Sequence, residues 1–143
     1  QPIHATQDME MADAHWGKRC ATAYCTRSLR DAGARLAFGS DSPVEDFNPL
    51  VGLHAAVTRQ RANGFPGPEG WYPRQRVGID DAIRAYTLGA AYAGGMENEI
   101  GSLETGKLAD LVVLSHDITA IPASELLNVQ VRRVMLNGVW QTT

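Results

Sequence analysis

Asp41 is the residue of this sequence best placed to do chemistry. It ends an apolar stretch, residues 35–43, that predicts a buried strand, and the two small residues before it leave room for a ligand. In parallel α/β sheets and barrels the carboxyl ends of strands carry the active-site loops. A carboxylate there can bind a metal ion, accept a proton from a metal-bound water, or do both. The residues alone equally allow Asp41 to cap a turn with Ser42 and Pro43.

His4 is the second candidate for a metal ligand. It ends the opening segment 1–4, which we expect to be extended because Pro2 disfavours helical geometry at the preceding residue. An isolated histidine is more often structural than a ligand, so the residue type leaves both roles open. The other histidines are weaker candidates: His15, His54 and His116. Cys20 and Cys25 have no second pair nearby, which argues against a zinc knuckle.

The elements that must position these residues follow from local sequence signals. A short helix from about Tyr24 is predicted to end at Gly33, because glycine readily takes the left-handed conformation that closes a helix. Residues 35–43 predict the buried strand, and residues 49–61 have the apolar spacing of an amphipathic helix. Residues 63–73 contain three Gly and three Pro, which is typical of a surface loop.

A change of pattern near residue 95 divides the chain into two predicted parts. Asp80 or Asp81 is expected to cap a further helix that ends at Gly94-Gly95. Helices and the predicted strand precede this point, whereas mostly β signals follow it. We therefore predict two domains or domain parts, residues 1–95 and residues 96–143.

The second part predicts short strands joined by turns. Strands are expected over residues 100–103 and 108–114, with a turn at residues 104–106 between them. Residues 131–140 predict a hairpin, because Asn137-Gly138 is a favoured pair for a type I′ turn.

Composition excludes several classes of protein. The 143 residues are 44% hydrophobic and 20% charged, which is ordinary for a globular protein. Thirteen Lys and Arg against sixteen Asp and Glu give a net charge of −3, so a nucleic-acid partner is not expected. No apolar run reaches the length of a membrane span, and two cysteines make no disulfide framework, so we expect a cytoplasmic protein without a membrane partner.

Four segments resemble one known family and follow its order along the chain. Gly39–Val44 resembles the Gly-Ser-Asp-x-Pro-Val signature of the metal-dependent amidohydrolase superfamily, in its YtcJ-like (amidohydrolase 3) branch. Ala85–Tyr92 resembles its Ala-Tyr-Thr-x-x-Ala-Ala helix, and Ile100–Leu114 its Gly-Lys-x-Ala-Asp run. Val131–Gly138 is similar to the closing hairpin of the family.

The resemblance implies an α/β fold: the C-terminal part of a (β/α)8 TIM-type barrel followed by part of a small β-sandwich domain. A whole barrel needs roughly 200–250 residues or more. The family's first-strand His-x-His pair and its bridging lysine or carboxylate have no counterpart in this sequence. We therefore expect the chain to be a portion of a longer protein, inactive alone, with the N-terminal part of the barrel as a partner.

The resemblance also implies roles for the two candidates. Asp41 matches the last-strand aspartate, which in the family ligates or approaches the metal and takes a proton from the attacking water. Residues 1–4 resemble the Gln-Pro-x-His segment, so His4 matches a histidine that binds metal or substrate. The implied cofactor is one or two divalent ions, most often zinc.

The implied function is metal-dependent hydrolysis of a non-peptide carbon–nitrogen bond in a small amide, N-acyl or formamide substrate. Alternatives are a deaminase or esterase of the same superfamily, or a non-catalytic fragment that pairs with another chain, including a second copy as a homo-oligomer. Phe65, Trp71 and Tyr72 are candidate substrate contacts in the 63–73 loop. The alternative for these aromatics is that they pin the loop to the barrel.

Overall fold

A computed structural model describes residues 1–142, with helices in the first two thirds and a small sheet in the last third. The α-helices are α1 (His4–Gln7), α2 (Met9–Trp16), α3 (Thr26–Asp31), α4 (Pro49–Thr58), α5 (Ile79–Arg84) and α6 (Ala90–Ala93). The 3₁₀ turns are Gly17–Thr22, Pro73–Gln75 and Ala123–Asn128, and a π-helical turn spans Ala85–Gly89. The strands are β1 (Leu111–Leu114), β2 (Val131–Leu136) and β3 (Val139–Trp140). No helix within residues 1–142 is long and apolar enough to cross a membrane.

The opening segment is helical, which corrects the extended start predicted from the sequence. The amide of His4 donates to the carbonyl of Gln1 over 3.2 Å, and this turn leads directly into α1 and α2. The signal that sequence reasoning missed is the apolar spacing of Ala5, Met9 and Ala12, all of which are buried. Spacings of three and four residues put these side chains on one helical face.

Residues 35–43 form no strand ladder, contrary to the predicted buried strand. Within residues 1–142 every strand lies between residues 111 and 140, so the segment has no strand beside it to pair with. Its Phe38 amide donates instead to the carbonyl of Ala85 over 3.0 Å. Leu36 and Phe38 are half-buried against a core cluster formed by the helices.

Helices α3 and α4 confirm the sequence prediction. Gly33, just past α3, has φ of +87°, the left-handed geometry that glycine adopts without strain. The Asn48 side chain caps α4 by accepting a hydrogen bond from the Leu50 amide at 3.0 Å. This helix ends at Thr58 rather than residue 61, because Arg59 takes the left-handed conformation with φ of +57°.

The helical segment that contains α5 and α6 begins differently from the prediction. Gly78 occupies the N-cap position, and no side chain caps the helix, so the expected cap at Asp80 or Asp81 is wrong. The Asp81 carboxylate instead accepts a hydrogen bond from the Arg30 guanidinium. The predicted end at Gly94-Gly95 is confirmed, with φ of +68° at Gly95.

The sheet is antiparallel in the order β1-β2-β3. Asn137 and Gly138 both have positive φ, +47° and +77°, which confirms the type I′ hairpin turn between β2 and β3. Strand β1 covers only the end of the predicted 108–114 strand, and residues 100–103 are not a strand.

Two buried clusters form the core. The Leu53 cluster joins α4 and the segment around α5 to a valine two residues before β2. It consists of Leu50, Leu53, Ala56, Val77, Ala82 and Val129. The Trp71 cluster joins α1 and α2 to the 63–73 loop, and it consists of Ala5, Met9, Ala12, Cys20 and Trp71. The division into domains at residue 95 stays a prediction.

Candidate functional site

The structure brings the side chains of His4 and Asp41 together. Nε2 of His4 lies 3.1 Å from Oδ2 of Asp41, although the residues are 37 positions apart in sequence. The side chains are 29% and 41% exposed, respectively, so small molecules can reach both. An imidazole nitrogen and a carboxylate oxygen thus meet at a solvent-accessible position.

Asp41 occupies a turn whose backbone geometry is unusual for a residue other than glycine. Its φ is +62°, in the left-handed region that aspartate and asparagine tolerate better than most side chains. The Asp41 carbonyl accepts hydrogen bonds from the amides of Val44 at 3.0 Å and Glu45 at 3.3 Å. Its backbone therefore forms the turn, while its carboxylate contacts His4.

Both backbone groups of Gly39, two residues before Asp41, are hydrogen-bonded to side chains. Its amide donates to the side-chain oxygen Oε1 of Gln1, and its carbonyl accepts a hydrogen bond from the Tyr86 hydroxyl at 3.2 Å. Burial raises the pKa of Tyr86 to about 12, so the hydroxyl stays protonated and can donate at neutral pH. These two bonds fix the segment that carries Asp41.

His4 is the first residue of α1, and a side chain from the segment after α4 bonds this helix. The Arg61 guanidinium donates to the carbonyls of Thr6 at 2.9 Å and Gln7 at 3.0 Å, and it pairs with Glu10 at 2.9 Å. Arg61 thereby joins the first turn of the chain to the segment that follows α4.

The three loop aromatics have different surroundings. Trp71 is only 5% exposed, and its Nε1 donates to Oδ2 of Asp13 at 2.9 Å. Tyr72 is half-buried with its ring centroid 4.9 Å from that of Trp71. Phe65 is 41% exposed, with the Arg61 guanidinium 5.1 Å from its ring centroid. The hydrogen bonds and ring contacts within residues 1–142 do not join these aromatics to His4 or Asp41 directly, and their role as substrate contacts stays a prediction.

Arg59 is a buried cation that sequence reasoning missed. It is 2% exposed, and its guanidinium donates to the carbonyls of Trp71 and Tyr24, each at 2.9 Å. Burial lowers the pKa of Arg59 to about 10, because desolvation penalises the charged form. Its position at the end of an amphipathic helix gave no signal of this burial.

The His4–Asp41 pair fits two positions of a divalent-metal site. Two atoms bound to one tetrahedral zinc ion at about 2.0–2.1 Å are about 3.3 Å apart, close to the separation of Nε2 and Oδ2. Catalytic zinc sites generally use three protein ligands. Residues 1–142 contain no group of three or more His, Cys, Asp or Glu side chains that could hold a metal ion.

Comparison with known proteins gives one consistent family. Residues 1–140 match the sequence profile described as "Amidohydrolase family". An N-substituted formamide deformylase of Arthrobacter pascens is 38% identical over 113 residues, which are 79% of this chain and 20% of that protein. A Bacillus subtilis protein that carries the name amidohydrolase YtcJ is 32% identical over 139 residues, which are 96% of this chain and 26% of that protein. A 5-methylthioadenosine/S-adenosylhomocysteine deaminase of Symbiobacterium thermophilum is 30% identical over 120 residues, 77% of this chain and 26% of that protein.

Solved structures agree with these relatives. An amidohydrolase from Thermotoga maritima MSB8 superimposes with a TM-score of 0.60 at 25% identity, over 82% of this chain and 25% of that one. A metal-dependent hydrolase from Pyrococcus furiosus gives a TM-score of 0.59 at 29% identity, over 75% of this chain and 20% of that one. The chain spans about a fifth to a quarter of the length of all these proteins.

Proposed function

The chain belongs to the amidohydrolase family, and on that premise we propose that it forms part of a metal-dependent enzyme that hydrolyses a non-peptide carbon–nitrogen bond of a small amide, N-acyl or formamide substrate. The observation that carries the proposal is the contact between His4 and Asp41. Both residues lie in segments that resemble family motifs, and both side chains are accessible. The formamide deformylase relative supports this substrate class.

We propose that residues 1–95 supply the last elements of a (β/α)8 barrel and residues 96–143 a part of a β-sandwich. The similarity to a solved amidohydrolase supports the barrel, and the short share of that protein covered by this chain supports a larger whole. In this proposal the missing metal ligands and the strands beside residues 35–43 come from the rest of that barrel. The location of the whole protein in the cytoplasm stays a prediction.

His4 and Asp41 are the residues of this chain that would hold the metal, which we propose is zinc, as one or two ions. When bound, such an ion supplies a Lewis acid that polarises the substrate carbonyl and makes water easier to deprotonate. His4 would hold the ion through an unprotonated ring nitrogen, and Asp41 would hold it through a carboxylate oxygen. A metal-dependent hydrolase among the structural neighbours supports a divalent ion.

The proposed catalytic role of Asp41 is that of a general base. Its carboxylate accepts a proton from the water that attacks the carbonyl carbon, and then delivers this proton to the leaving nitrogen as the carbon–nitrogen bond breaks. The exposure of the carboxylate supports the role, because water and substrate can reach it.

Substrate contacts are proposed in the loop of residues 63–73. Phe65, Trp71 and Tyr72 remain the candidates, and exposure favours Phe65 because Trp71 is almost wholly buried. An apolar or aromatic substituent on the substrate would suit such a contact.

Deamination is the second candidate function. The Symbiobacterium thermophilum deaminase supports it, because a deaminase also breaks a carbon–nitrogen bond with water. A panel of N-substituted formamides, N-acyl amines, aminopurine nucleosides and carboxylic esters separates the candidates by the product released. Turnover of only the nucleosides or only the esters would replace the proposed amide substrate. No turnover in the complete, metal-loaded protein would favour a non-catalytic role.

The decisive experiment is Asp41→Asn in the complete protein that carries this chain. Asparagine keeps the shape of the side chain but cannot accept the proton, so we expect turnover to fall by about 10²–10⁴-fold. Glu45→Gln is the matched control, since it removes a carboxylate four residues away and should retain the rate. A rate for Asp41→Asn near that of the wild type would show that Asp41 is not the base.

A further inference from the structure

Gln1 and Tyr86 bond the two successive peptide groups that meet at Gly39, two residues before Asp41: Gln1 accepts from the Gly39 amide, and Tyr86 donates to the Gly39 carbonyl. We propose that both are positioning residues: they set the place of the Asp41 carboxylate relative to His4 without touching the substrate. The proposal rests on the function proposed above for Asp41. It adds two residues, distant in sequence, whose hydrogen bonds fix the geometry of the site.

The Tyr86 side chain packs closely against Phe38 and against α4. Its ring packs edge-on against Phe38, with centroids 5.5 Å apart and an interplanar angle of 71°. Its hydroxyl fits against Gly52 of α4 so closely that a Cβ at position 52 would lie 1.8 Å from the hydroxyl oxygen. The hydroxyl is therefore held between α4 and the carbonyl of Gly39, and it fixes that carbonyl.

Gln1 connects the two halves of the site. Its side-chain oxygen accepts the Gly39 amide, whereas its backbone carbonyl accepts the amide of His4 at 3.2 Å. One residue thus bonds both to the segment of Asp41 and to the turn that carries His4. The distance between Nε2 and Oδ2 depends on this connection.

These bonds matter because they fix both backbone groups of Gly39, and only Ser40 separates Gly39 from Asp41. Catalytic groups work only when they are held within about 0.5 Å of the productive geometry. Loss of an outer partner of a metal ligand costs about 10- to 100-fold in metal affinity or activity. We therefore expect the bonds at Gly39 to affect metal binding and turnover together.

The test uses Tyr86→Phe and Gln1→Met in the complete protein, with zinc(II) as the probe. Each variant removes one hydrogen bond to Gly39 and nearly keeps the side-chain volume. We expect about 10-fold lower kcat, a nearly unchanged KM and about 10-fold weaker zinc binding, measured by competition with a chromogenic chelator. Gln1→Glu keeps an oxygen that can accept the Gly39 amide, so it should rescue both values relative to Gln1→Met.

Tyr92→Phe is the matched control, because Tyr92 is 49% exposed and lies six residues further along the same helical segment. It should leave kcat and zinc affinity unchanged. If Tyr86→Phe reduces the yield of folded protein, Gln1→Met decides the matter, since Gln1 is exposed and belongs to neither core cluster.

The outcomes separate this inference from the proposed function. Unchanged kcat and zinc affinity in Tyr86→Phe and Gln1→Met, with Asp41→Asn inactive, would overturn the positioning role and leave the function standing. An active Asp41→Asn would overturn the proposed role of Asp41 as general base, on which this inference rests. In that case hydrogen exchange of the Gly39 amide still tests the geometry: faster exchange in Gln1→Met than in Gln1→Glu supports the contact, and equal rates overturn it.

Discussion

His4 and Asp41 approach within 3.1 Å, yet the structure supports them in different ways. His4 begins a helix whose buried face packs into the Trp71 cluster. Asp41 ends a segment that pairs with no strand within residues 1–142, and the Leu36 and Phe38 side chains of this segment pack against the Leu53 cluster. The geometry of the site therefore depends on two separate cores. A destabilising substitution in the Trp71 cluster should displace His4, and one in the Leu53 cluster should displace Asp41.

The two cores also differ in the hydrogen bonds that their neighbouring aromatic side chains make. Around the Trp71 cluster, carboxylates accept hydrogen bonds from aromatic side chains: Asp13 from Trp71, and Asp8 from the Tyr24 hydroxyl at 2.7 Å. Burial, followed by the neighbouring Asp8, raises the pKa of Tyr24 to about 12. Beside the Leu53 cluster, the Tyr86 hydroxyl donates to the backbone carbonyl of Gly39. Carboxylates thus accept hydrogen bonds from aromatic side chains near the core that supports His4, whereas a tyrosine hydroxyl bonds the backbone near the core that supports Asp41.

Trp71→Ala should have the largest effect on stability and should act on the His4 side. It removes the largest side chain of its cluster and leaves the Asp13 carboxylate without its indole partner. We expect a loss of about 3–5 kcal/mol in the free energy of unfolding, measured by urea titration. Trp16→Ala is the control, because Trp16 is 44% exposed, and it should cost below about 1 kcal/mol. Equal losses for the two variants would contradict the comparison.

Leu53→Ala should have a smaller effect and act on the Asp41 side. The residue is 6% exposed within an apolar cluster, so the loss reflects transfer and cavity formation without a broken hydrogen bond. We expect about 2–3 kcal/mol by the same urea titration. Leu103→Ala, at a position 72% exposed, should change stability by less than about 0.5 kcal/mol. A loss at Leu53 larger than that at Trp71 would reverse the proposed ranking.

Sequence patterns predicted the elements whose signals are local. The apolar spacing of residues 49–61, the glycine at position 33 and the Asn137-Gly138 pair each act within a few residues of the chain. Helix α4, the end of α3 and the hairpin were therefore predictable. The spacing of Ala5, Met9 and Ala12 is also a local signal, but the polar residues between them make the apolar face of this helix harder to recognise.

Features that depend on distant partners were harder to predict. The Asp81 carboxylate forms an ion pair with Arg30 rather than a helix cap, and Arg59 is buried by a loop that follows it in sequence. A strand at residues 35–43 needs a neighbouring strand, which residues 1–142 do not supply. The pairing of His4 with Asp41 was expected only through resemblance to a family, since 37 positions separate them and spacing alone left each role open.

The smallest expected effect is on the pH dependence of the free energy of unfolding, and it concerns the core that supports Asp41. His54 lies on α4 beside the Leu53 cluster and is 5% exposed, and burial lowers its pKa from the ordinary value of 6.5. In the unfolded chain the imidazole regains its ordinary pKa, so it binds a proton there at a higher pH than in the fold. The unfolded state then holds more protons below about pH 6.5, and the stability that neutral His54 contributes is lost as the pH falls.

Between about pH 7.5 and pH 5.5, wild type should lose more free energy of unfolding than His54→Gln, measured by urea titration at each pH. An identical loss in both proteins would show that His54 does not contribute to the acid sensitivity of the fold.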